Sequence, residues 1–142
     1  MIVAIRIKGK VDVPREIEET LNRLRLRKKF SCVVLKEKPE IVGMLEKVRD
    51  YIAYGKISKE IFAELLKKRG KTKNKNVKMD YEKVAKEIFE SKTEKNLEDF
   101  GFKPVFFLHP PRGGMKSTKK HFPKGSLGNH GEKIKDLLLR ML

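Results

Sequence analysis

The 142-residue chain has one cysteine, no tryptophan and no apolar run long enough to cross a bilayer. A single cysteine excludes an intramolecular disulfide framework and any metal site built from several cysteines. The opening residues lack a secretory signal pattern, and no segment approaches the roughly 20 apolar residues of a membrane-spanning helix. These absences predict a soluble, cytoplasmic protein.

Acidic residues are few relative to basic ones. Lys and Arg number 35 against 19 Asp and Glu, which gives a net charge of +16. Three blocks without any acid, residues 23–29, 67–78 and 103–124, hold 18 of the 35 basic residues, so the rest of the chain is nearly neutral. Such blocks can be solvated surface loops, but their recurrence favours a polyanionic partner, because concentrated positive charge attracts phosphates and releases counterions.

The first third of the chain alternates between strand and helix patterns. Apolar and β-branched residues predict strands at residues 2–8 and 31–35. Helical spacing of apolar residues predicts one helix that begins near Pro14 and another that begins at Pro39, since proline suits the first turn. Residues 51–57 fit either an extension of the second helix or a third strand.

The rest of the chain divides into an insertion and a C-terminal segment. Residues 58–101 predict helices around the second basic block. The apolar run 102–108 predicts an edge strand because it contains Pro104. Residues 109–131 show little apolar periodicity and predict a long functional loop, and residues 132–142 predict a terminal helix.

Several residues within these elements have predicted structural roles. Gly43 lies inside the second helix, where it weakens the helix and suggests close approach to another backbone. Cys32 lies in a strand with no flanking His, so we expect a buried side chain rather than a reactive thiol. The strand context of Phe106 and Phe107 predicts that both belong to the core.

No residue set in the sequence is typical of catalysis. Residues 113–118 (GGMKST) invite comparison with a phosphate-binding loop, but Met115 and Pro110 occupy the two positions where that motif requires glycine. No strand carries the clustered carboxylates of a two-metal centre. Three histidines of the C-terminal segment have spacings that match no common zinc site: His109, His121 and His130.

The composition of the basic blocks favours structured RNA as the partner. Loops rich in Gly, Pro and Asn adapt to the irregular phosphate surface of folded RNA, and no recognition helix or zinc finger indicates sequence-specific DNA binding. An RNA-processing enzyme and a DNA-compacting protein are the alternatives, although the first lacks a visible catalytic set.

Motifs along nearly the whole chain resemble the large-subunit ribosomal protein family numbered thirty, in its long archaeal form. The motifs that carry the resemblance are LRLRKK at 24–29, VV at 33–34, PEIVGM at 39–44, KV at 47–48, HPPRGGMKS at 109–117 and GSLGNHGEKI at 125–134. The first strand begins at the initiator Met without the basic extension of eukaryotic members, so we expect an archaeal origin.

The resemblance implies an α+β fold with a β-α-β-α-β core in residues 1–57. Its three strands form an antiparallel sheet related to the ferredoxin-like arrangement, which makes residues 51–57 the third strand. Residues 58–101 are then a helical insertion. Residues 102–142 supply a strand, a basic RNA-binding loop and a terminal helix that packs back on the same unit.

The resemblance also implies a structural role in the large ribosomal subunit. The chain is expected to bind and stabilise large-subunit rRNA in the domain II region, near the 5S rRNA, beside other large-subunit ribosomal proteins. No enzymatic activity, cofactor, metal, membrane or small-molecule substrate is expected. The alternative function is that of an RNA-processing or RNA-modifying enzyme acting on structured RNA.

The expected rRNA-binding residues are cations and glycines of the three basic blocks. Arg grips phosphate in a bidentate manner, Lys acts as a point charge, and glycine lets backbone amides approach a phosphate. The predicted residues are Arg23, Arg25, Arg27, Lys28, Lys29, Lys71, Lys73, Lys75, Arg112, Gly113, Gly114, Lys116, Lys119, Lys120 and Lys124.

Overall fold

The structure, a computed structural model, describes residues 2–9, 13–36, 38–69, 86, 105–112, 117–121 and 125–141. Its strands are β1 (Ile2–Arg6), β2 (Ser31–Leu35), β3 (Ile52–Lys56), β4 (Val105–Phe107), β5 (Ser117–His121) and β6 (Gly125–Asn129). Its helices are α1 (Arg15–Arg23), α2 (Pro39–Lys47), α3 (Lys59–Arg69) and α4 (Ile134–Met141), the last preceded by a 3₁₀ turn, Gly131–Lys133.

The strands form one sheet in the order β4-β2-β1-β3-β6-β5. Strand β1 is antiparallel to both of its neighbours, so that Ala4 lies opposite Val33 on one side and Tyr54 on the other. The α+β class and the β-α-β-α-β core are confirmed, with β3 as the third strand. The sheet is larger than the expected three strands, because β4 pairs antiparallel with β2, β6 pairs parallel with β3, and β5 pairs parallel with β6.

Both faces of the sheet are covered, which explains why β1 reads as an unbroken run of apolar residues before Arg6. Ile2 and Ala4 belong to the core beneath α1 and α2, whereas Val3 and Ile5 belong to the core beneath α3 and α4. Alternate side chains point to opposite faces of a strand, so each residue is buried by one helical layer. Within the described residues, no helix has the length and hydropathy needed to span a bilayer.

Helices α1 and α2 begin where proline predicts. Pro14 precedes the first residue of α1, and Pro39 is the first residue of α2. Their apolar stripes then face the sheet, with Leu21 and Leu45 completely buried.

The opposite layer is formed by α3 and α4. Phe62 of α3 and Leu138 of α4 are buried in the same core, together with Leu127 of β6. Backbone N–H groups of His109 and Arg112 donate to the carbonyls of Met141 and Arg140, at 3.2 and 3.0 Å, and hold the segment after β4 to the end of α4.

The structure differs from the sequence-based expectation for residues 109–131. Strands β5 and β6 lie in this range, where apolar periodicity predicts only a loop. The pattern is silent because β6 (GSLGN) has one large apolar residue, Leu127, and β5 (STKKH) has none. The pairing of these strands depends on backbone hydrogen bonds rather than on an apolar face.

The expectation for Gly43 is wrong, and another glycine makes the close approach. Gly43 is exposed, and a Cβ built there meets no atom within 4 Å. At Gly55 of β3, a Cβ would overlap the carbonyl oxygen of Gly131 and lie 2.9 Å from the Cβ of Ile134. The expectation for Cys32 is confirmed, since the side chain is buried and burial raises the pKa of its thiol.

The insertion is described only in part. Its first helix is α3, and residues 70–85 and 87–104, which hold the second basic block and the remaining helices predicted there, lie outside the described residues. The division of the chain at residues 57 and 101 stays a prediction.

Candidate nucleic-acid interface

The segment that joins α1 to β2, residues 24–30, is called the basic loop below. Leu24 and Leu26 are buried, while Arg25 and Arg27 between and after them are exposed. Burial of each leucine contributes about 1.5–3 kcal/mol to folding. The alternating sequence therefore anchors the loop through its leucines and directs its cations outward.

The basic loop begins with a tightly hydrogen-bonded end to α1. The Leu26 N–H donates to the Leu21 carbonyl at 2.9 Å, and the Arg25 N–H donates to the Asn22 carbonyl at 3.0 Å. This is the Schellman arrangement, in which the residue at the position of Arg25 takes a left-handed conformation and is most often glycine. Arg25 has φ +66°. An arginine held in this conformation costs roughly 1 kcal/mol, so its side chain is a candidate for a role outside the fold.

The end of the basic loop is fixed to two strands. Phe30, with φ +64°, donates its N–H to the Arg6 carbonyl at 2.7 Å and accepts from the Leu108 N–H at 3.1 Å. The Ser31 hydroxyl donates to the Lys28 carbonyl at 2.6 Å. The loop is thus positioned by β1, β2 and the residue that follows β4.

Arg6 braces the basic loop from below. Its side chain is 1% exposed and donates from Nη1 to the Leu26 carbonyl at 2.8 Å, from Nε to the Lys8 carbonyl at 3.0 Å and from Nη2 to the Gly9 carbonyl at 3.2 Å. Burial lowers the pKa of Arg6, and the charge of Glu18 opposes this shift. Sequence reasoning missed this residue, although an arginine that ends an apolar strand was a usable signal.

A groove lies between the basic loop and the edge strand β4. Its volume is about 490 Å³, and its lining residues are Arg25, Arg27, Lys28, Ser31, Val105 and Phe107. The Phe107 side chain is 40% exposed, and the Lys28 ammonium lies 5.7 Å from the centre of its ring. The groove therefore combines three cations with one aromatic ring, and none of the described residues that line it is acidic.

The expectation that Phe106 and Phe107 both belong to the core holds only for the first. Phe106 is completely buried. Phe107, the next residue in the strand, points to the opposite face, as strand geometry requires. This opposite face is covered less completely at the edge strand, and Phe107 is a functional candidate that sequence reasoning missed. Alternation within the strand was the available signal.

The remaining predicted cations do not all converge on the groove. Arg23 is exposed at the end of α1, and Lys29 is exposed with its ammonium 5.1 Å from the Phe30 ring. Arg112 is exposed beside the end of α4, five residues beyond Phe107.

Lys119 and Lys120 lie in β5, at the sheet edge opposite β4. Four strands intervene, so roughly 24 Å separates the two edges at the usual strand spacing. The predicted residues that fall outside the described ones are Lys71, Lys73, Lys75, Gly113, Gly114, Lys116 and Lys124.

The described part of the chain holds no group of three or more His, Cys, Asp or Glu residues that could bind a metal ion. The His109 ring donates from Nδ1 to the Pro110 carbonyl at 2.7 Å. His130 is buried, and its backbone N–H donates to the Tyr54 carbonyl at 2.7 Å. His109 and His130 thus have local structural contacts.

Comparison with known proteins agrees with the resemblance. A family model described as ribosomal protein L30p/L7e matches residues 2–52. The large ribosomal subunit protein uL30 of Archaeoglobus fulgidus is 46% identical over 153 residues, which cover 99% of each chain. The uL30 proteins of Nanoarchaeum equitans and Methanobrevibacter smithii are 41% and 39% identical, over 96% and 100% of each chain. With such identity along its full length to archaeal proteins of that name, the chain belongs to the L30p/L7e family.

Proposed function

We propose that this chain, which is a structural constituent of the large ribosomal subunit by its family, binds and stabilises large-subunit rRNA through its basic segments. The observation that supports this proposal best is the basic loop, whose leucines are buried and whose cations are exposed around a groove. The family is non-enzymatic, so the proposed role is architectural, within the cytoplasmic ribosome.

In the proposed mechanism the sheet and its helices act as a rigid body that holds separate RNA segments. The cations at the β4 edge and those of β5 lie at opposite edges of one sheet, which suits two different RNA segments. The lysines of the insertion and the residues from Arg112 to Lys124 supply further phosphate contacts in this proposal. The resemblance places the RNA target in domain II, near the 5S rRNA, beside other large-subunit proteins.

The test of this proposal is a salt titration with a domain II transcript. Each phosphate neutralised lowers log K by about 0.7 to 0.9 per unit of log salt, because bound counterions are released. We expect a steep slope for the natural chain and a slope shallower by about 2 to 3 after replacement of Arg25, Arg27 and Lys28 together by Ala.

A matched control for that titration is Arg15→Ala. Arg15 lies at the opposite end of α1 and pairs with Glu19 at 3.4 Å, so its loss should leave the slope unchanged. A nearly flat slope for the natural chain, or equal affinity for duplex DNA of the same length, would remove phosphate binding to rRNA as the function.

Arg25→Gly is expected to raise stability while it weakens RNA binding. Glycine adopts the left-handed conformation without a Cβ penalty, so the free energy of unfolding should rise by about 1 kcal/mol. Loss of the guanidinium should lower affinity for the transcript. Arg25→Ala removes the same charge but keeps the strained conformation, and should bind as weakly without the gain in urea unfolding. Equal stability of the two variants would contradict this account.

A further inference from the structure

We propose that the groove between the basic loop and β4 holds one unpaired RNA nucleotide, with its base stacked on Phe107 and its phosphate held by the loop cations. This inference rests on the proposed binding of RNA and goes beyond it, because it names the chemical form of RNA that the groove takes. An unpaired nucleotide differs from a duplex in that the face of its base is accessible.

The first observation behind this inference is the exposure of Phe107. Among the described residues, Phe107 and Leu139 are the two exposed large apolar side chains, at 40% and 41%. Leu139 lies on α4, in the other helical layer. Phe107 lies opposite Ser31 in the sheet register, beside the basic loop. An exposed aromatic ring next to cations is typical of surfaces that stack single-stranded bases.

The second observation is the match between the groove and the two parts of a nucleotide. The ring of Phe107 and the side chain of Val105 give one apolar wall, and Arg25, Arg27 and Lys28 give a positive one. A base needs the first and a phosphate needs the second. A volume of about 490 Å³ lies in the size range of small-molecule sites, which is large enough for a single nucleotide.

The third observation is the position of Lys28. Its ammonium lies 5.7 Å from the centre of the Phe107 ring, within the range of a cation–π contact. The flexible stem of lysine allows the ammonium to leave the ring for a phosphate when a base arrives. The Ser31 hydroxyl meanwhile fixes the Lys28 backbone at 2.6 Å, so the lysine stays beside the groove.

Phe107→Trp turns this position into its own reporter, because the chain has no other tryptophan. Its fluorescence should be quenched when the full-length variant binds a single-stranded RNA oligonucleotide, and should change little with a blunt RNA duplex of the same length. A matched control is Leu139→Trp, whose tryptophan is exposed on α4 and should respond to neither RNA. Equal quenching by the duplex, or binding without quenching, would overturn the inference.

A second variant separates stacking from charge. Phe107→Leu keeps an apolar side chain without a ring and should weaken binding to the single strand roughly 10-fold with an unchanged salt slope. Phe107→Tyr keeps the ring and should bind within about 2-fold of the natural chain. If Phe107→Leu binds like the natural chain and the salt slope stays steep, the nucleotide site fails while the proposed function stands. If the natural chain binds no RNA, both fail.

Discussion

Gly55→Ala is expected to be among the most destabilising single-methyl changes in this protein. The added Cβ would overlap the Gly131 carbonyl oxygen and lie 2.9 Å from the Cβ of Ile134. The His130 N–H donates to the Tyr54 carbonyl at 2.7 Å and holds the 3₁₀ turn against β3, so the backbone cannot move away without losing a hydrogen bond. We expect the free energy of unfolding to fall by about 3 kcal/mol and the melting temperature by roughly 10 °C.

Gly43→Ala is the matched control, since it adds the same methyl group where there is room. Gly43 is an exposed residue inside α2 with no atom within 4 Å of the added carbon. Alanine there should raise the free energy of unfolding by about 0.5–1 kcal/mol, because glycine weakens helices. Urea unfolding followed by circular dichroism measures both variants. Similar effects of the two changes would show that close packing at Gly55 does not limit stability.

The sequence predicted the local elements of the core better than their pairing. Strand β2 was predicted residue for residue, and α2 begins at Pro39 as proline indicates. Strand β3 needed the resemblance because Ile52 to Gly55 are all buried, and a strand buried on both faces shows no alternation. Strands β5 and β6 were missed because the contacts that define them are made by backbone atoms, which leave no pattern of side chains.

The candidate site was predictable in its charge but not in its shape. The acid-free run from Arg23 to Lys29 indicated the exposed cations directly. The groove arises because β4 pairs with β2, more than 70 residues away in the sequence, and places Phe107 opposite Ser31. No local pattern reports a pairing of that separation. The buried role of Arg6 was hidden for the same reason, since its partner Leu26 lies 20 residues away.

Arg6→Met is expected to lower both stability and RNA affinity, because one buried guanidinium supports the fold and the basic loop together. Methionine fills much of the same space but donates no hydrogen bond, so the buried Leu26 carbonyl loses its 2.8 Å partner. An orphaned buried acceptor of this kind costs about 1–3 kcal/mol. The carbonyls of Lys8 and Gly9 are only partly buried and regain water, so we expect a total loss of about 2–3 kcal/mol.

The effect of Arg6→Met on RNA binding should be indirect, since Arg6 is 1% exposed and cannot reach a phosphate. Without its brace the basic loop should open more often, so backbone amides of residues 24–30 should exchange hydrogen faster while those of α2 rise only as far as global stability falls. Lys8→Met is the control, because it removes one charge from the end of the same strand and only a contact of 5.3 Å with the Tyr51 ring, for a cost of about 0.5–1 kcal/mol. Faster exchange confined to the basic loop, with weaker binding, would establish Arg6 as a positioning residue. Uniform acceleration across the chain would instead reduce it to a residue of the core.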